Sequence, residues 1–371
     1  MGRTFEAMPT PRLRRSPFWE ATLAEGVRGF QPYNNMLMPV GYGDPEGEYW
    51  RIINGVSMWD VAVERQVELR GPDAAVLAQA LCPRDLSKCK VDQGKYVALC
   101  DHRGVLINDP ILLKLSDDRY WLSIADSNIL FWARAVAAER GLNVEVFEPD
   151  VSPLAVQGPK AEDVVASIFG DWVRDLKYFW FREAEVEGVP VQVARSGWSK
   201  QGGFELYLMD GSKATKLWNI VKEAGQPWGI GPGNPNMSER IESGLLSYGG
   251  DTDDNTNPFE VRMGRYVDLD VPDDVIGIQA LRRIAEEGPK RHQVGIRLDS
   301  DDPTVAPHSA RYDVTQDGRK VGMMTNGVLS YRMKCWIGFG LLSVDATLGS
   351  RVTVHREGRA DDGTLVDLPF L

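Results

Sequence analysis

Val105-Leu106-Ile107-Asn108-Asp109-Pro110-Ile111-Leu112-Leu113 reads as a strand, almost wholly apolar, with one carboxylate near its centre. Its composition and length assign residues 105–114 to a β-run, with two more at 96–100 and 120–125. Asp101-His102-Arg103-Gly104 and Ser116-Asp117-Asp118 separate the three, which is the pattern of an antiparallel meander. Upstream, residues 65–70 alternate polar and apolar, as a half-buried strand should. Gly71-Pro72-Asp73 then turns the chain, and Asp73 is placed to cap a helix over 74–82. Downstream, the spacing predicts a helix at 127–140, strands at 144–147 and 152–157, and a helix from Pro159 to Gly170. Strands at 186–194 and 204–208 enclose the loop 196–203. Helices follow at 212–224 and 237–246, the second closed by Gly249-Gly250. The sum is an α+β body.

After Val275 the composition changes. The charged stretch 282–291 reads as a linker. Short strands are expected at 293–298, 311–315, 320–325, 336–344 and 351–356, with a hairpin turn at Asp317-Gly318. That spacing suggests a small all-β barrel or sandwich. The expected division is 1–281 and 282–371. Residues 1–17, rich in Arg and Pro, read as a flexible arm.

The length of 371 residues suits two or three domains. The 42 basic and 53 acidic residues leave a formal net charge of −11, which argues against a nucleic-acid partner. No apolar run approaches the ~18 residues that a membrane span needs. The N-terminus lacks the apolar core of a secretory signal. None of the four cysteines forms a CxxC pair and the four histidines are scattered. Free thiols in a cytoplasmic protein without a metal site are the expectation.

Three segments carry candidate chemistry. Asp109 is costly in an apolar strand unless it is hydrogen-bonded or paired. Pro110 removes a ladder donor and implies an edge or a bulge, a frequent device beside active sites. The bland alternative is an Asp satisfied by nearby backbone. In the second segment, Arg195, Trp198, Glu205 and Tyr207 surround a loop holding Gly197, Gly202 and Gly203. Period-two spacing puts Glu205 and Tyr207 on one strand face, suited to a heterocycle with amide-like donors. An ordinary hairpin with its polar face in water would read the same. The third is Arg240 and Glu242 in an amphipathic helix, where most charges are merely solvated. Gly229-Ile230-Gly231-Pro232-Gly233 lacks the spacing of a dinucleotide loop. Eleven tryptophans are many, and aromatic faces bind sulfonium or quaternary cations with ~1–2 kcal/mol when desolvated. Core and surface packing accounts for most of them.

Taken in order, these segments resemble the tetrahydrofolate-dependent aminomethyltransferase (glycine cleavage T-protein) family. The resemblance rests on five stretches: Gly55–Val61, Gly104–Leu112, Arg195–Glu205, Arg240 through Glu260, and Val275–Leu281. It implies a three-domain fold around a central folate channel, with an all-β C-terminal barrel. It also implies tetrahydrofolate as co-substrate, Asp109 as the catalytic residue and Glu205 as the pterin anchor. Tyr207, Arg240 and Tyr96 would complete the folate site, and Trp198 and Tyr33 would line the substrate site. Arg240 could meet the folate tail or a substrate carboxylate.

Two places depart from the T-protein pattern. Ala62-Val63-Glu64 stands where Ser-His-Met is usual, and Trp198-Ser199-Lys200-Gln201-Gly202 where Tyr-Thr-Gly-Glu-Asp is usual. Folate features persist while amine-side features change. The strand around Asp109, the run Trp121–Ser127 and the arm Tyr33-Asn34-Asn35-Met36-Leu37 are most similar to the family's sulfonium-demethylating members, which act on dimethylsulfoniopropionate. The implied reaction is S-methyl transfer to N5 of tetrahydrofolate. Glycine-cleavage aminomethyl transfer, or demethylation of a methylamine or an aryl methyl ether, are the alternatives. A non-catalytic folate binder serving iron–sulfur assembly would carry a Lys-Gly-Cys-Tyr motif, which Gly94-Lys95-Tyr96 lacks. A homodimer is left open.

Overall fold

The computed structural model describes residues 10–300, 311–356 and 358–371. Two antiparallel-dominated sheets and a closed barrel organise it. The six-stranded sheet runs Phe181–Val186, Val189–Ala194, Gly203–Leu208, Ser152–Gln157, Ser57–Asp60 and Gly231–Gly233, the last pair parallel. Ser152–Gln157 is buried at all six positions, as a strand with neighbours on both sides and layers on both faces must be. Helices Ala161–Phe169 and Ala214–Gly225 cover one face through Val164, Val165, Leu217 and Trp218. The five-stranded sheet runs Glu145–Phe147, Gln66–Arg70, Arg119–Ser123, Ile111–Ser116 and Gln93–Tyr96. Helices Ala74–Leu81 and Ile129–Glu139 cover it with Leu77, Leu81 and Ala133.

The two sheets meet through Leu113 and Trp121 of one and Phe181, Ala194 and Tyr207 of the other. This contact places Glu205 and Tyr207 of one sheet near the end of the other. The barrel closes in the order Arg291–Leu298, Cys335–Ser343, Arg319–Ser330, Tyr312–Gln316, Arg351–Arg356, Arg359–Val366. It leans on the meander through Leu341 against Leu106 and Met263. No helix among the described residues is long and apolar enough to cross a membrane.

Several expectations are corrected. The strand expected at 186–194 begins only at Val189; Val189–Ala194 pairs with Phe181–Val186 in a hairpin turned at Glu187 and Gly188, both with positive φ. The helix expected at 237–246 stops at Glu242. The charged stretch 282–291 is mostly helix, Ile278–Glu287, with Ile278, Ala280 and Leu281 buried and the charges outward. Asp73 caps nothing; its carboxylate accepts from the Asn143 N–H at 2.7 Å. The barrel has a sixth strand, Arg359–Val366. Of the supposed flexible arm, residues 1–9 lie outside the described residues. Residues 10–17 are held: Arg14 pairs by backbone with Asn35 and Leu37, and Ser16 bonds the buried Asp60.

Candidate active site

Residues 105–114 do not form one strand. Leu106–Asn108 pairs with Leu99–Cys100, whereas Ile111–Ser116 belongs to the five-stranded sheet. The break falls at Asp109-Pro110, where proline withholds the donor that would continue a ladder. Asn108 locks the break, donating to the Ala125 carbonyl at 2.9 Å and the Ser127 hydroxyl at 2.8 Å. Asp109 is thereby turned inward, and the Tyr96 hydroxyl donates to its Oδ2 at 2.7 Å. Burial pushes its pKa up to about 7, against the hydrogen bond from Tyr96. It is half-buried, so part of it stays within a ligand's reach.

Glu205 lies 4% exposed on Gly203–Leu208. The Ser196 hydroxyl and the Tyr207 hydroxyl (3.2 Å) both donate to Oε2, leaving Oε1 free of protein donors among the described residues. The shared strand face read from period two is therefore real. The glycine loop supports this carboxylate from behind. Gln157 bonds the carbonyls of Ser196 and Phe204, and a Cβ at Gly197 would lie 2.0 Å from its Nε2. Gly197 also holds φ +148, open to glycine but not to L side chains. Burial raises the Glu205 pKa.

Glu64 joins these two, with no role assigned to it from sequence. It ends the tight turn after Ser57–Asp60, its N–H bonded to the Val61 carbonyl. Asn34 pins the same turn by donating to the Val63 carbonyl at 3.0 Å. Burial, then the charges of Glu205 and Asp109, drive the Glu64 pKa well up. Tyr33 lies beside Glu64, Asp109 and Asp126, and Tyr207 beside Glu205 and Glu64. Tyr96 bonds Asp109, Tyr207 bonds Glu205, and Asn34, next to Tyr33, bonds the Val63 and Ala125 carbonyls, so Glu64, Asp109 and Glu205 are the carboxylates that border one chamber. Tyr266, edge-on to Tyr96 at 5.0 Å, and Tyr178, beside Glu205 and Tyr266, extend the aromatic wall. Tyr248, close to Asp109, also lines a cleft of about 310 Å³ with Thr252, Asp253 and Arg311. Among the described residues no His, Cys, Asp and Glu cluster has a metal-holding arrangement, and Cys82, Cys89, Cys100 and Cys335 are free.

Arg240 is placed differently. It is 1% exposed and bonds Asp251 at 2.6 Å and the Leu245 carbonyl at 3.2 Å. Both bonds are made by Nη1, while the buried Nε has no hydrogen-bond partner among the described residues. The guanidinium lies between the rings of Trp198 (5.8 Å) and Phe339 (5.1 Å). Asp251 is held in turn by Ser247 N and Asn326 of the barrel. Arg240 thus ties the Trp198 loop to the barrel, and one face of Trp198 is already covered by a cation. Arg240→Met is expected to destabilise by ~3–5 kcal/mol, since it strands a buried carboxylate. Chemical denaturation checks this, and adding Asp251→Leu should restore much of the loss.

Residues 18–271 match the family described as the GCVT N-terminal domain, and residues 291–371 the glycine cleavage T-protein C-terminal barrel domain. A dimethylsulfoniopropionate demethylase of Ruegeria pomeroyi is 39% identical over 94% of this chain and 98% of its own. An aminomethyltransferase of Symbiobacterium thermophilum is 32% identical over 96% of this chain and 97% of its own. The crystal structure of aminomethyltransferase T from Bartonella henselae superposes with a TM-score of 0.84 at 22% identity, covering 96% of this chain and 98% of that one. Matched along both its body and its barrel, the chain belongs to the glycine cleavage T-protein family of tetrahydrofolate-dependent one-carbon transferases.

Proposed function

We propose that the chain moves an S-methyl group from dimethylsulfoniopropionate to N5 of tetrahydrofolate, yielding 3-methylthiopropionate and 5-methyltetrahydrofolate. The observation that carries this reading is the chamber's chemistry. Three carboxylates and several phenols stand close together, the side-chain donors to Asp109 and Glu205 are hydroxyls, and among the described residues none of Glu64, Asp109 and Glu205 forms an ion pair. Such a chamber suits a cationic methyl donor. The demethylase relative, at 39% identity, supports the same choice.

The residues fit a reduced folate. Glu205 Oε1 is an enclosed acceptor for the amino and ring N–H groups of a pterin, with Oε2 already held by Ser196 and Tyr207. Tyr96, Tyr266 and Tyr178 supply flat apolar faces. Bound tetrahydrofolate supplies the nucleophilic nitrogen. As the N5–CH3 bond forms, the S–CH3 bond breaks and its electron pair stays on sulfur. The thioether leaves neutral, so no side chain need donate a proton. The N5 proton passes to Asp109, directly or through water, and thence to solvent. Alignment of donor and acceptor can contribute ~7–11 kcal/mol. A cytoplasmic site of action fits the four free thiols.

The test is competition. Purified protein and tetrahydrofolate are mixed with equal amounts of dimethylsulfoniopropionate, dimethylglycine, a methoxybenzoate and aminomethyl-lipoyl carrier. Consumption of the sulfonium, with methyl on the folate, is expected. Methylene on the folate at the expense of the lipoyl carrier would establish aminomethyl transfer instead.

A further inference from the structure

We propose that Glu64 is the specificity residue for charge: its carboxylate faces the donor's cationic centre and selects it over neutral molecules of the same shape. The inference deepens the proposed function and rests on it for the identity of the donor. Three carboxylates stand around the chamber, and their partners differ. Glu205 accepts from Ser196 and Tyr207, and Asp109 accepts from Tyr96. Glu64 accepts no hydrogen bond and forms no ion pair among the described residues, although it is held in a rigid turn.

Two arginines, Arg65 next in sequence and the buried Arg240, spend Nη donors on other groups, each keeping a buried Nε without a partner among the described residues. Arg65 bonds Glu148 and the Asn34 carbonyl, and Arg240 bonds Asp251. Glu64 is half-buried, and a carboxylate partly removed from water without a partner gains from a counter-charge that arrives beside it. Tyr33 and Tyr207 stand beside it, and a methylated cation can rest on their rings while facing the carboxylate. Glu64 also lies close to Asp109 and Glu205, so positive charge passing from sulfur to nitrogen remains near anions throughout the displacement. Its contribution is then to binding more than to the chemical step.

The test uses two unreactive ligands of one shape, 3-(trimethylammonio)propanoate and 4,4-dimethylpentanoate, titrated by calorimetry in the presence of tetrahydrofolate. The wild type should prefer the cation at least tenfold. Glu64→Gln, isosteric and uncharged, should bring the two within about threefold while leaving folate affinity unchanged. With dimethylsulfoniopropionate, Glu64→Gln should raise KM 10- to 100-fold and change kcat less than threefold. An undiminished preference for the cation in Glu64→Gln overturns the proposal. So does an equal loss of both ligands, which would mark a structural role; Glu64→Asp should recover part of the preference. Failure of the wild type to demethylate dimethylsulfoniopropionate would sink the proposed reaction, while the ligand pair would still read the charge preference at Glu64.

Discussion

Glu205→Gln is expected to weaken tetrahydrofolate binding at least 100-fold, measured by calorimetry, with little change in fold stability. The carboxylate is 4% exposed and its Oε2 is already satisfied by two hydroxyl donors, so Oε1 is the oxygen offered to a ligand. Hydrogen bonds to a charged acceptor contribute ~1.5–3 kcal/mol each. A pterin edge can donate two, and a tenfold change in affinity corresponds to ~1.4 kcal/mol. The amide keeps the shape but turns one acceptor into a donor that meets the ligand's own donors. Replacing a buried, desolvated anion with a neutral amide should leave the melting temperature unchanged or raised. Unchanged folate affinity would remove Glu205 from the site.

Asp109→Asn carries the second large effect. Loss of the proton acceptor should lower kcat/KM by ~10²–10⁴-fold. In the wild type the Asp109 pKa lies at about 7, so kcat/KM should rise with pH up to about 7 and then level. The variant should lack that limb. Stability should move the other way. Asp109 titrates near 3.8 when exposed and at about 7 when folded, so the native state holds the proton more tightly. That stabilisation is present at low pH and is lost as pH rises from about 4 to about 7. Asparagine has no charge to bury, so the variant should be more stable than the wild type at pH 8, by at most ~4 kcal/mol. The two should converge near pH 4. Thermal melts at both pH values decide this, and equal melting points at pH 8 would show that Asp109 is not held against its ionisation.

The alternation that set Glu205 and Tyr207 on one face survived folding because a strand's period fixes side-chain direction locally. Asp109 was conspicuous for the same local reason, a carboxylate beside proline in an apolar run. Glu64 was visible only as a departure from the family pattern. What turns it inward is Asn34, thirty residues upstream, bonding the Val63 carbonyl, and no local pattern encodes that contact. Tyr178 sits in a turn and Tyr266 ends the single 3-10 turn Gly264–Tyr266, both too short for periodicity to say anything about direction. For Arg240, a helix pattern cannot reveal Asp251 beneath it. The strand Arg359–Val366 reads polar, and only its alternating burial inside the closed barrel betrays it. The stretch 282–291 looked like a linker because its charges occupy the outer face of a helix whose apolar residues are few.

The most direct test of the central claim is a crystal structure of the protein soaked with 5-methyltetrahydrofolate. The pterin is expected between Tyr96 and Tyr178, its amino group within hydrogen-bond distance of Glu205 Oε1 and its methylated nitrogen directed toward Asp109. A well-ordered folate seated away from both carboxylates would contradict the account.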